Sequence, residues 1–173
     1  MGEGKGPTGK YRDRLLRPGA GAEEWDWRSN IVVDNCRLLL AGFMRGADVK
    51  GVGFLAVGRG DPAWDAVDPG HPPASVSALA DASPVLIPVP PGDIAFLDAE
   101  GNLSVTPTRR IQVTVTLAPG TPAPGGGETA YPLREFGLFG TFGADRYMID
   151  YVRHPVIHKG AGDTLVRTIR LVF

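Results

Sequence analysis

The chain has 173 residues, a length typical of one domain, and its 43% hydrophobic residues indicate a globular protein with a buried core. Its 18 basic and 19 acidic residues give a formal net charge of −1, which excludes an overall electrostatic footprint for nucleic acid or an anionic membrane. The lone cysteine, Cys36, excludes an intrachain disulfide and fits a reducing cytoplasm, and no apolar run approaches the roughly 20 residues of a membrane span.

Residues 1–29 predict a flexible N-terminal arm, because Gly, Pro and charges of both signs are mixed there without a hydrophobic period. Two interpretations remain open: a tail without contacts, or an arm that docks on a partner through its large side chains. In the second interpretation the docking residues are Tyr11, Leu15, Leu16, Trp25 and Trp27.

Residues 29–46 predict one amphipathic helix. Ser29 or Asn30 can cap its beginning, and Gly46 stands where a C-terminal cap belongs. Such a helix must bury its apolar face on another element. The residues of that face, spaced by three and four positions, are Val32, Val33, Cys36, Leu39, Leu40 and Phe43.

The rest of the chain is β in character. An apolar run at 52–58 precedes a loop rich in Pro, Asp and Gly, and the turn around Gly101 predicts a hairpin. Residues 110–117 alternate apolar and polar, as a half-buried strand does. Strands are also expected at 147–152 and 165–173, where Arg167 interrupts an otherwise apolar face.

These elements predict an α+β fold, mainly an antiparallel β-sheet or sandwich, with the one N-terminal amphipathic helix packed on it. Residues 30–173 would form a single β-rich domain behind the arm.

The tripeptide Arg59-Gly60-Asp61 matches a motif that cell-adhesion receptors bind. Gly58 and Gly60 are turn residues at the end of a predicted strand, and Asp61 is followed by Pro62. The tripeptide is therefore interpreted as the corner between a strand and a loop, with an adhesion signal as the alternative.

The candidate catalytic groups do not form a recognisable pattern. No serine lies in a nucleophile elbow, and Cys36 lies inside the predicted helix. His154 and His158 are four residues apart, but Pro155 and the β context point their rings to no shared metal site, and His71 lies in a Pro-rich loop. We predict no enzyme, no metal and no cofactor; an enzyme that uses surface carboxylates on glycans is the alternative.

Six segments follow one another in an order that is more specific than any single motif: IVVDNCRLLLAGFM, GVGFLAVGRGD, a Pro-rich loop with SALADAS, IQVTVTL, LREFGLFG and YVRHPVIHKGAGDTLVRTIRLVF. This order resembles the small domain of phage tail-fibre and tail-collar proteins and of related contractile injection systems, over residues 30–173. The chain departs from that family at Arg59, where Thr is common, at Gly140, where an acidic or polar residue is usual, and in lacking a receptor-binding fibre. The matched positions are Ala56, Val57, Gly58, Gly60, Glu135, Phe136, Gly137, Leu138, Phe139, Lys159, Thr164, Leu165 and Phe173.

The resemblance implies a non-catalytic structural component of a tail-like particle, near the baseplate or fibre attachment. It further implies that the partners are other tail, baseplate or fibre proteins, that the chain is a homo-oligomer (a trimer or a sixfold ring), and that it moves from the cytoplasm into the particle. A stand-alone binding or adhesion module is the alternative. The structural motif residues are Gly58, Gly60, Glu135, Gly137 and Lys159.

Two of these motif residues carry specific expectations. Glu135 stands beside apolar residues, so its carboxylate is expected to accept hydrogen bonds from loop backbone or to pair with an arginine. Gly137 is expected to let the sheet bend or to let another backbone approach.

Overall fold

A computed structural model describes residues 6–173, within which twelve strands and one α-helix form. The helix α1 spans Asp34–Met44, and two short 3-10 helices span Pro62–Asp65 and Pro91–Asp93. The strands are β1 (Thr8–Leu16), β2 (Ala22–Glu24), β3 (Arg28–Val32), β4 (Val49–Gly58), β5 (Val85–Pro88), β6 (Ile94–Leu97), β7 (Leu103–Ser104), β8 (Arg110–Leu117), β9 (Ala130–Phe142), β10 (Asp145–Met148), β11 (Asp150–Gly160) and β12 (Thr164–Val172).

The strands form one antiparallel sheet in the order β5-β4-β9-β11-β3-β1-β12-β8-β6-β7, with β10 beside β9 and β2 beside β1. In a flat sheet β1 and β9 would lie about 14 Å apart, since strands are spaced about 4.8 Å. Yet the rings of Tyr11 on β1 and Phe136 on β9 meet at 5.0 Å. The sheet therefore folds over on itself, and its two halves pack face to face.

One hydrophobic core lies between these halves and joins residues of β4, β9 and β11 with residues of β1, β8 and β12. Register shifts interrupt β4 between Lys50 and Phe54 and β11 between Arg153 and Ile157. Such bulges bend a strand and increase its twist, which suits a sheet that must close over its own core. The prediction of an α+β, mainly antiparallel sandwich with one helix is confirmed.

The amphipathic helix is confirmed, but it begins later than predicted. Val33 precedes its first turn, while Ser29 and Asn30 belong to β3, where the Asn30 side chain donates to Asp150. The predicted cap was wrong because this tertiary partner, rather than the helix, takes the polar side chain. At the other end Gly46 has a φ of 75° and its N–H donates to the carbonyl of Phe43, as predicted for a terminating glycine.

The prediction of a flexible arm over residues 1–29 was wrong for the strands it contains, which are β1, β2 and the beginning of β3. Strand β1 pairs with β12 along its whole length and with β2 and β3 on its other side. Tyr11, Asp13 and Leu15 are buried, and the residues between them are exposed. The sequence does not show this alternation of buried and exposed residues, because the middle one of the three buried residues is an aspartate. Residues 1–5 of the predicted arm lie outside the described residues.

The later elements follow the sequence pattern closely. Gly101 closes the β6–β7 hairpin with a φ of 87°, and β8 buries Val113, Val115 and Leu117 on one face. The segment 147–152 differs, because every residue from Met148 to Val152 is buried. Both of its faces are covered: one contributes to the main core and the other to a small second core around Tyr151.

Candidate functional site

The motifs at the end of β4 and in the middle of β9 are neighbours in the sheet. Gly58 lies directly opposite Glu135, and Ala56 lies opposite Gly137. Strand pairing therefore joins motifs that are far apart in the sequence into one structural unit.

Glu135 is fully buried at the centre of this unit. Its carboxylate accepts the backbone N–H groups of Ala80 at 2.9 Å and Asp81 at 2.7 Å, and the hydroxyl of Tyr151 also donates to it. Burial, and then the adjacent Glu135, raise the pKa of Tyr151 to about 12. The expectation that Glu135 binds loop backbone is confirmed, and the carboxylate fastens the loop before β5 to the sheet.

Gly58 and Gly137 must be glycine because other atoms of the protein lie too close to leave room for a Cβ atom. A Cβ at Gly58 would lie 2.5 Å from a carboxylate oxygen of Glu135, and a Cβ at Gly137 would lie 2.8 Å from the carbonyl oxygen of Asp150. The expectation that another backbone approaches Gly137 is confirmed.

Arg59-Gly60-Asp61 forms the predicted corner after β4. Gly60 has a φ of 57°, and Asp61 accepts the N–H of Ala63 at 2.9 Å, which begins the 3-10 helix Pro62–Asp65. The Arg59 guanidinium donates to both carboxylate oxygens of Glu128, at 2.9 and 2.8 Å. The tripeptide's two charged side chains thus each bind a different part of the same protein.

Arg134 fixes this corner and was not identified from the sequence. It donates two hydrogen bonds to Asp65, at 2.8 and 2.7 Å, and a third to the carbonyl of Arg59 at 3.0 Å. The hydrogen bond from Arg134 holds the pKa of Asp65 below its ordinary value. Residues 133–138 of β9 are all buried, so no alternation in the sequence distinguishes Arg134 from its neighbours.

Arg167, the exception in the apolar face of β12, forms a buried ion pair with Asp13. Its Nε and Nη2 each donate to the Asp13 carboxylate at 2.7 Å, and the two side chains are 0% and 3% exposed. The guanidinium also lies 3.8 Å from the centroid of the Phe136 ring. Each charge is tolerated in the core because the other compensates it.

His154 completes this buried cluster. Its Nε2 lies 3.2 Å from Nη2 of Arg167, and its Nδ1 lies 2.7 Å from the carbonyl oxygen of Pro155. Because arginine can only donate, Nε2 accepts and Nδ1–H donates, so the ring is neutral. Burial, and then the positive charge of Arg167, lower the pKa of His154 to about 4. His71 and His158 are exposed, and the structure does not bring the three histidines together.

Two further buried charged groups also bind backbone. Lys159 donates to the carbonyl of Ala118 at 2.9 Å, and burial lowers its pKa. Asp150 accepts the N–H of Leu138 at 2.7 Å and a bond from Asn30, and burial raises its pKa to about 6. The lysine of the terminal motif therefore has a structural partner.

The residues predicted to dock on a partner do not form one surface. Tyr11 and Leu15 are buried in the core, so their prediction as docking anchors was wrong. Leu16 and Trp25 are half-buried, and Trp25 packs against the core. Trp27 is half-buried on the outer side of β1.

The structure instead exposes an apolar groove of about 290 Å³ between α1, the beginning of β4 and Phe173. Phe43 is 68% exposed on its rim, and Leu40 and Phe173 are 41% and 40% exposed. The prediction that the helix buries Leu40 and Phe43 with the rest of its apolar face was wrong, because α1 has more apolar residues than one helix face can bury. Burial raises the pKa of Cys36 in the groove to about 11, which makes its thiol unreactive.

Comparisons of the chain with protein-family models, with curated proteins and with solved structures found no match. Within residues 6–173, no helix has the length and apolar character needed to cross a membrane. The same part of the chain holds no group of three or more His, Cys, Asp or Glu side chains placed to bind a metal ion.

Proposed function

We propose that this protein is a non-catalytic structural component of a phage-tail-like or contractile injection particle, near its baseplate or fibre attachment. The observation that carries the proposal is the apolar groove, on which the side chains of Phe43, Leu40 and Phe173 are exposed. Contiguous exposed apolar surface is typical of sites where proteins associate.

The state of the buried charged groups supports a structural role. Glu135, Asp150, His154 and Lys159 each bind backbone or a neighbouring side chain in their folded positions. A general acid or base must instead reach a substrate from a cleft.

The resemblance of the motifs supplies the kind of particle. In the structure, its β4 and β9 segments form the paired unit around Glu135 and Gly58. We propose that an apolar segment of a neighbouring tail or baseplate subunit occupies the groove, with its side chains packed between Leu40, Phe43 and Phe173.

Co-purification tests this proposal. A copy tagged at its N-terminus, which leaves the carboxyl end of the groove residue Phe173 unmodified, is expected to bring down sheath, tube or baseplate proteins from its own host. Phe43→Asp should abolish that association, because it places a charge in the apolar contact. Leu103→Asp is the matched control, since Leu103 is 71% exposed on β7, outside the groove.

Thermal unfolding of both variants verifies that they fold as the native protein does. A native protein that purifies without particle proteins contradicts the particle role. Equal loss of partners in Phe43→Asp and Leu103→Asp contradicts docking through the groove.

A further inference from the structure

The outer face of β1, β12 and β8 carries a cluster of basic side chains. Residues directly opposite in paired strands share a face of the sheet, and Lys10 lies directly opposite Arg170. Arg110 lies on the neighbouring β8, opposite the residue two beyond Arg170. We call the following residues the basic patch: Lys10, Arg12, Arg110, Arg170 and Trp27.

Trp27 is the centre of the basic patch. Three cationic groups lie around its ring: Nζ of Lys10 at 4.8 Å, Cζ of Arg12 at 4.9 Å and Cζ of Arg170 at 4.7 Å from the centroid. Each separation is within the range of a cation–π interaction. The indole ring thus holds three positively charged groups close to one another.

These charges are not neutralised within residues 6–173. Seven ion pairs form there, including Arg14–Glu24 on the same face, but none involves a basic residue of the patch. Like charges directly opposite each other destabilise a sheet, and Lys10 with Arg170 is such a pair. Burial, and then the nearby Arg12, lower the pKa of Arg170.

The donors of the patch are available to a ligand. Nε of Arg170 donates to Gln112 at 2.9 Å, which leaves the two terminal nitrogens of that guanidinium. A guanidinium stacked on an aromatic ring keeps its edge N–H groups for planar, bidentate contacts with a carboxylate. A groove of about 340 Å³, lined in part by Lys10, Arg110 and Arg170, opens beside them.

Acidic residues limit the length of anion that the patch can hold. Glu100 lines the same groove, and Glu24 lies on β2, where it pairs with Arg14 of β1. A long polyanion such as nucleic acid would meet these carboxylates, and the net charge of −1 provides no wider attraction. A short anionic segment spans fewer of these carboxylates than a long polyanion does.

We propose that the basic patch binds a short acidic peptide segment, rich in Asp and Glu, of a partner protein. Its carboxylates bind the guanidinium edges of Arg12, Arg110 and Arg170 and the ammonium group of Lys10. The groove of the patch shares no lining residue with the apolar groove, so this binding does not depend on the role in a particle.

Fluorescence anisotropy with dye-labelled hexaglutamate at low ionic strength tests the proposal. The native protein should bind the peptide, and added salt should weaken binding because these charges are exposed. Lys10→Gln/Arg12→Gln should weaken binding at least about tenfold, since two charged contacts are removed. Arg45→Gln/Lys50→Gln is the matched control: it removes the same charges from exposed positions outside the patch, and binding should change less than about twofold.

Circular dichroism establishes that each variant folds, and Arg110→Gln, at the far side of the groove, gives an independent test of the same surface. No binding of hexaglutamate by the native protein overturns the proposal, as does equal weakening by the patch and control variants. Tighter binding of a dye-labelled thymidine hexanucleotide than of hexaglutamate also overturns it, because the site would then prefer phosphate.

Discussion

At the scale of single residues, the charges buried between the two halves of the sheet have the most demanding environment. Asp13, Arg167 and His154 form one connected cluster, in which Arg167 is a donor to both of the others. Removing two charges from water is unfavourable, so such a cluster persists only while every member keeps its partner. Substitution of any one of these residues should therefore lower the stability of the fold.

Arg167→Met should lower the free energy of unfolding by about 3–5 kcal/mol, because it leaves the Asp13 carboxylate buried without a partner. The double variant Asp13→Leu/Arg167→Met should lose less, since neither charge then remains in the core. Urea unfolding of the three proteins at neutral pH measures both effects. A double variant less stable than Arg167→Met would contradict this account of the pair.

His154 makes stability depend on pH. Its pKa is about 4 in the folded protein and 6.5 when unperturbed, so the unfolded chain binds the proton first as pH falls. The contribution of His154 to the stability of the folded protein is fully present above pH 6.5 and is lost as pH falls through about 4. Between pH 7.5 and pH 5 this contribution should fall by about 2 kcal/mol, and in His154→Gln it should be absent.

Asp150 acts in the opposite direction. Its pKa is raised to about 6, so its contribution to stability is present at low pH and is lost as pH rises through that value. Because the native protein and His154→Gln both contain Asp150, its effect cancels when their urea unfolding is compared at each pH. Identical pH profiles would contradict the assignment to His154.

At the scale of elements, β4 and β9 show how one strand constrains the sequence of its neighbour. The buried Glu135 of β9 occupies the space beside Gly58 of β4. Only glycine is small enough to stand opposite this carboxylate. Elsewhere on β4 the sheet leaves room: a Cβ at Gly53 would meet nothing closer than 4.0 Å. A larger residue is therefore excluded at Gly58 but can be accommodated at Gly53.

Gly58→Ala should lower the free energy of unfolding by about 1–3 kcal/mol, because the new methyl group overlaps the Glu135 carboxylate. Gly53→Ala on the same strand is the control and should be neutral or slightly stabilising, since glycine is unfavourable inside a strand. Chemical unfolding of both variants gives the comparison. Equal losses would show that the strand, rather than the contact with Glu135, determines the effect.

At the scale of the whole molecule, a single main core ties the first strand of the chain to the last. Tyr11 and Leu15 of β1 pack in the same cluster as Leu171 of β12 and Leu138 of β9. The surface of this body carries two unlike features, the apolar groove and the basic patch, on separate residues. The two proposals therefore assign a different partner segment to each of these features.

Because both halves of the sheet share this core, unfolding should be one cooperative transition. Trp25 and Trp27 lie near β1, whereas Trp64 lies in the 3-10 helix after β4, so tryptophan fluorescence reports on elements of both halves of the sheet. Its urea transition should coincide with that of far-UV circular dichroism. Two separate transitions would show that the halves of the sheet unfold independently.

The sequence by itself determined the elements whose patterns are local. The helix, the hairpin at Gly101 and the alternating strand β8 are encoded by spacing and turn chemistry within a few residues. The mainly antiparallel α+β fold follows from these elements. The corner at Gly60 was also predictable, because the positive φ belongs to the glycine itself.

Only the tertiary structure decided the fate of the charges and of the exposed surfaces. β1 could not be predicted from the sequence, because its buried Asp13 looks like a surface residue until its partner is known. That partner, Arg167, is 154 positions away. The partners of Glu135, the apolar groove and the basic patch likewise depend on which distant strands become neighbours. The surroundings of a buried charge determine whether it is stable, and the surroundings of an exposed apolar side chain determine whether it belongs to a contact surface. Long-range pairing of the strands creates those surroundings.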